Sequence, residues 1–268
     1  EKFPGSADLS MFYNNIGSMQ WFYTAPFSEA VEFQSKSHKL ELERGELTLD
    51  IKAGYPNSII NYFVMGLPFE ELSLRLEHLK CIMHKYQIQA SAACYYANLL
   101  DGLSTDYSKG KKLQNPFEKN NFSVKEWALI KSCHLNCFIE HLQIQWFFWN
   151  GQFDQAWHAV KVAEPSLHLM DGFIIPVEHR FLVALIACQK YPSAAEKEQP
   201  ELCTYINCAM KELETLTVLC GENFEHKLLL LQAEQNRTMK ADMSLVLSLY
   251  DQAICSAQKG GYIQYQAL

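Results

Sequence analysis

Apolar residues along this chain recur three and four positions apart. Phe69, Leu72, Leu76, Leu79, Met83 and Tyr86 follow one another at spacings of 3, 4, 3, 4 and 3, which puts all six on one stripe of an amphipathic helix. Met243, Val246, Tyr250, Ala253 and Ala257 draw another such stripe, and Gly260-Gly261 supplies its stop. The pattern predicts helices near residues 28–44, 46–65, 69–86, 88–102, 123–150, 152–169, 174–190, 200–220, 222–239 and 241–259. Most are joined by very short links, and short links make neighbouring helices antiparallel. The two longer connections are 104–121, with its cluster Lys109, Lys111 and Lys112, and 191–201; both are read as loops or insertions.

The stretch WFFWNGQFDQAWHAVKVA, residues 146–163, concentrates the pattern. The preceding helix carries two apolar stripes, one through Val124, Trp127, Leu135, Phe138, Leu142, Trp146 and Trp149, the other through Ile130, Cys133, Cys137, Ile144, Phe147 and Phe148. A helix with two apolar faces needs partners on both sides, as an inner helix of a stacked array has. Gly151 permits a tight reversal, and Ala156 and Ala163 let the returning helix lie close. Each large side chain buried there contributes roughly 1.5–3 kcal/mol. The same arrangement recurs around Gly66 in NYFVMGLPFEEL and, more weakly, in LYDQAICSAQKGGY.

FFWNGQFDQAWHAVKVA resembles the turn and second helix of a tetratricopeptide repeat. The order MFYNNIGSMQWFYTAPFSEAV, LERGELTLDI, NYFVMGLPFEEL, YYANLLDGLS, WFFWNGQFDQA and LYDQAICSAQKGGYIQYQAL, from Met11 to Leu268, resembles the helical region of large multi-sensor signalling kinases. In that family the region follows a serine/threonine kinase-like domain and an AAA-type (STAND) ATPase, and precedes GAF and histidine-kinase modules. The resemblance implies an all-α, α-α superhelix running through residues 1–268 as a single helical-repeat domain, a fragment of a larger protein. It implies a regulatory scaffold whose partners are a protein segment or adjacent domains of the same polypeptide. The catalytic signatures of those modules are missing from this chain: there is no phosphate loop, no His-Arg-Asp, no Asp-Phe-Gly. The expectation is therefore a non-enzyme without a cofactor.

Composition narrows the partners. The net charge of −7 and isoelectric point near 5.7 argue against nucleic acid or an anionic membrane as the main partner, since both select for basic surfaces. Nine cysteines, an odd number, are scattered through apolar patterns without a Cys-x-x-Cys pair. They read as reduced thiols, hence as cytoplasmic.

Two clusters are candidates for chemistry. In SCHLNCFIEH, Cys133, Cys137 and His141 stand at i, i+4 and i+8 with His134 adjacent. A zinc site needs a fourth ligand, and the positions also continue an apolar stripe, so core packing is the favoured reading and no metal is expected. In PVEHRFLVALIACQ the charged run Glu178, His179, Arg180 interrupts an apolar helix. That run is either a solvated face or a group presented to a groove, where the Arg180 fork would grip a carboxylate. His141, Gln145, His179 and Arg180 are the predicted groove residues. The alternative function is a small-molecule sensor whose aromatic surplus, 13% of residues, lines a closed pocket.

Overall fold

A computed structural model describes residues 7–44, 55–85 and 135–268. Among these residues the protein is all-helical: eleven α-helices, short 3-10 stretches and one π-helical turn, with no strand. The helix expected over 88–102, the loop 104–121 and the first part of 123–150 lie outside the described residues. The chain divides into two compact units, residues 1–130 and 131–268.

In the first unit, α1 (Ala7–Asn15) packs on α2 (Phe27–Arg44), α2 on α3 (Tyr55–Val64), and α3 on α4 (Phe69–Lys85). Phe22 and Phe27 are fully enclosed and stack with ring centroids 5.5 Å apart. Beside them a polar seam is buried. Asn61 donates to the Gly17 carbonyl at 2.9 Å and to Gln34 at 3.2 Å, Gln34 donates to Ser18, and Ser18 donates to Asn14. A π-helical turn, Ile16–Gln20, brings Gly17 so close to α2 that a Cβ there would sit 2.5 Å from the Ala30 carbonyl oxygen. On α4, Leu72 and Leu76 of the expected stripe are buried.

The second unit contains α5 (Leu135–Trp149), α6 (Phe153–Ala163), α7 (Ile175–Lys190), α8 (Gln199–Leu219), α9 (Gly221–Thr238), α10 (Met243–Gly260) and a short α11 (Ile263–Ala267). Each of these helices packs on the next in the chain, and α7 also contacts α5 and α9. The small residues expected at the packing seam, Ala156 and Ala163, are buried, and with Val160 they meet Ile144, Leu182, Val183 and Ile186, with Phe147, Phe148 and Trp157 against them. On α10, Val246, Ala253 and Ala257 are buried, whereas Met243, expected on the same stripe, is 60% exposed.

The turns explain why the same sequence pattern recurs. At Gly151 (φ 67°) the Gln152 amide donates to the Phe147 carbonyl and the Gly151 amide to the Phe148 carbonyl. Together these form the 6→1 and 5→2 pair of a Schellman helix ending. Gly66 (φ 77°) and Gly261 (φ 76°) end their helices with the same two bonds. A fourth copy closes α9, where Lys240 takes the left-handed position at φ 57° without glycine's freedom.

One expected helix is shorter than the pattern suggests. The α-helix predicted over 152–169 stops at Ala163, and Glu164–Met170 continues as a 3-10 stretch. Pro165 stands at its start, and a proline inside an α-helix removes a donor and crowds the preceding turn. The tightened segment lets Ser166 receive the Cys137 thiol on its carbonyl at 3.0 Å and donate its own hydroxyl to Glu140.

Candidate functional site

Helix α7 organises the site. From Ile175 to Cys188 every side chain except Arg180 is buried, because α5, α6, α8 and α9 all pack on it. The run Glu178, His179, Arg180 is therefore not a solvated face. Its three members, about 100° apart around the helix, go to three different partners.

Arg180 is half-exposed and turns to α8. Its Nε and a terminal nitrogen each donate to Glu212 at 2.5 Å, a bidentate fork. His179 is 2% exposed and packs beside His141 of α5, ring centroids 5.9 Å apart. Neither nitrogen of His179 has a hydrogen-bond partner. Burial, and secondarily the Arg180 charge, pulls its pKa down to about 4; His141 is held well below 6.5 by burial and then by His179. Both rings are thus neutral near pH 7. Gln145, one turn beyond His141 on α5, is half-buried, and its side-chain oxygen accepts no hydrogen bond.

Between α6, α7 and α8 lies a pocket of about 370 Å³, and His179 and Arg180 both line it. Its mouth carries a paired polar network. Lys161 donates to Glu201 at 2.7 Å and to the Tyr205 hydroxyl at 2.6 Å, lies 3.7 Å from Glu164, and sits over the Trp157 and Tyr205 rings. Tyr205 in turn donates to Glu164. Burial works to lower the Lys161 pKa, but the bonds to Glu201 and Tyr205 outweigh it and raise the value.

Glu178 faces the opposite way, into a cluster that sequence reasoning missed. Its carboxylate lies 3.1 Å from the Lys227 ammonium of α9, with the two side chains 3% and 0% exposed, and accepts the Tyr265 hydroxyl from α11. Lys227 is also stacked among the rings of Phe224, Tyr262 and Tyr265 at 4.6–5.8 Å, a cation–π enclosure. Tyr262 donates to Asn223 at 3.0 Å and stacks on His226 at 4.2 Å. Burial lowers the Lys227 pKa against the pull of Glu178 and raises that of Tyr265. The Glu178–Lys227 pair is closed to solvent, and through Tyr265 it clasps α11 to α7 and α9.

The comparisons add no relative: protein-family models, curated proteins and solved structures all gave no match. The site is therefore read from its own geometry. His179 and Arg180 meet at one pocket, His141 stands against His179, and Gln145 is not among the residues lining it. Of the candidate metal set, Cys133 and His134 lie outside the described residues, and Cys137 bonds Ser166. Among the described residues no three His, Cys, Asp or Glu side chains gather closely enough to hold an ion. No described helix is long and apolar enough to cross a membrane.

Proposed function

We propose that this chain is a non-catalytic helical-repeat module of a multidomain, multi-sensor signalling kinase, arranged as an α-α superhelix and holding a protein segment or a neighbouring domain. The observation that supports it best is the packing of α5 to α10 in chain order, with the same glycine-dependent helix ending at Gly66, Gly151 and Gly261. Stacked repeats have this grammar: each unit is covered by its neighbours, and one side is left for a partner. The Arg180–Glu212 fork, half-exposed at the pocket mouth, suits the reading, because a partner's carboxylate can exchange with Glu212 on the same guanidinium.

The test is a photo-reactive residue placed at the exposed Lys211, next to Glu212, in the intact parent protein. The module reading expects cross-linked peptides from another domain or a bound protein, and a reduced yield in Arg180→Ala with an unchanged melting temperature. Absence of any protein adduct, or an equal loss of yield and melting temperature, contradicts it. The kinase context is checked separately by the coding sequence on either side: a phosphate-loop ATPase before and a GAF or histidine-kinase module after support it, and unrelated neighbours overturn it.

A further inference from the structure

The pocket between α6, α7 and α8 has features that a protein-binding face does not need. Its volume, about 370 Å³, falls at the small end of the range of about 300–1,000 Å³ typical of small-molecule sites. Val160, Val183 and Ala209 build buried apolar walls. In this setting stands His179, buried, with two nitrogens that bond nothing, and an unpaired polar group in a low-dielectric interior is unfavourable until something completes its bonding. Both nitrogens are closed to solvent, so the ring has to rotate about its last torsion, which is broad for histidine, to present one of them to an occupant.

Charge at the mouth decides what kind of occupant fits. Both arms of the Arg180 fork are on Glu212, and Lys161 is held by Glu201 and Glu164. An entering ion has to compete with one of these half-exposed pairs for its charged partner, whereas an uncharged molecule leaves them intact. His179 is itself neutral near pH 7, with its pKa at about 4, and a neutral imidazole offers one donor and one acceptor. Its complement is a group that also carries both, such as a primary amide, a hydroxyl or an azole.

We propose that this pocket binds an uncharged small molecule with an apolar body and one donor–acceptor group that hydrogen-bonds the His179 imidazole. The inference goes beyond the interaction-module reading and does not depend on it.

The experiment uses the full chain and three probes of one shape: benzamide, its charged analogue benzoate, and toluene as the apolar body alone. Binding is followed by calorimetry and by the His179 ring carbon–proton signal in NMR. Benzamide is expected to shift that signal and to bind at least about tenfold more tightly than benzoate or toluene, the scale of one well-made hydrogen bond. Thr204→Trp fills the mouth from an exposed position and should abolish the benzamide shift without changing the melting temperature. His179→Leu should bring benzamide down to the level of toluene. Benzoate binding as tightly as benzamide overturns the proposal, as does toluene binding equally well in the unaltered protein. An unmoved His179 signal with all three probes, or benzamide binding that survives Thr204→Trp, overturns it too.

Discussion

At the residue scale, the positions that matter most are those where a side chain contradicts its surroundings. Lys240 holds a left-handed φ of 57° at a helix end where Gly66, Gly151 and Gly261 stand in the equivalent turns. Lys240→Gly is expected to stabilise the second unit by about 1 kcal/mol, since the left-handed cost to a residue with a Cβ is roughly 1–2 kcal/mol and glycine's extra chain entropy returns part of it; urea unfolding measures it. Gly17 is the opposite case. Its replacement by alanine drives a methyl into the Ala30 carbonyl and Gln34 Cγ, at 2.5 and 2.8 Å, and should cost the first unit about 1–3 kcal/mol, read as a lowered melting temperature. His179 and Arg180 were legible as candidates because charge interrupted an apolar helix. Lys227 was not, although Asn223, His226, Lys227 and Leu230 share one inward stripe of α9. A lysine on such a stripe normally snorkels to water, and the Tyr262 and Tyr265 rings that enclose it come from a distant part of the chain.

Element boundaries followed the apolar period closely wherever the helix met one continuous core, as at α2, α7, α8 and α9. They failed where local chemistry outweighed periodicity. Pro165 turned the end of α6 into a 3-10 stretch, and the π-helical turn at Ile16–Gln20 has no period to announce it. The short α11 is set by tertiary contact: its Tyr265 reaches Glu178 of α7, and the adjacent Tyr262 reaches Asn223 of α9. Lys227→Met strands the Glu178 carboxylate in the interior and should cost about 3–5 kcal/mol, while Lys227→Met combined with Glu178→Leu should cost clearly less, because the pair is replaced as a whole. Urea unfolding of the two single variants and the double variant completes the cycle. A double variant as unstable as the sum of the singles would show that the two charges are not coupled.

At the scale of the whole molecule, three buried imidazoles tie the stability of the second unit to pH. His141, His179 and His226 all have pKa values lowered by burial, so the unfolded chain binds protons more readily than the folded one. Their contribution is complete above the unfolded value of about 6.5 and is lost as pH falls toward the folded values, about 4 for His179. Unfolding free energy should therefore fall between pH 7.5 and pH 5, and His179→Leu should flatten that slope; a slope of the opposite sign would mean that these rings gain partners on protonation. The all-helical class was legible because stripes of period near 3.6 run the length of the chain. The division at residue 130 was not, because the apolar period continues on both sides of it.

The successive packing of α5 to α10 carries the module reading, and hydrogen exchange tests it most directly. Val246→Asp places a charge in the buried seam of α10, where Val246 is 1% exposed. Amide protection in native conditions is then compared helix by helix with the unaltered protein. A stack held by nearest neighbours predicts accelerated exchange in α10 and α9, a smaller effect in α8, and unchanged protection in α5 and α6. Uniform loss of protection across residues 135–268 would show a single cooperative core and contradict the account.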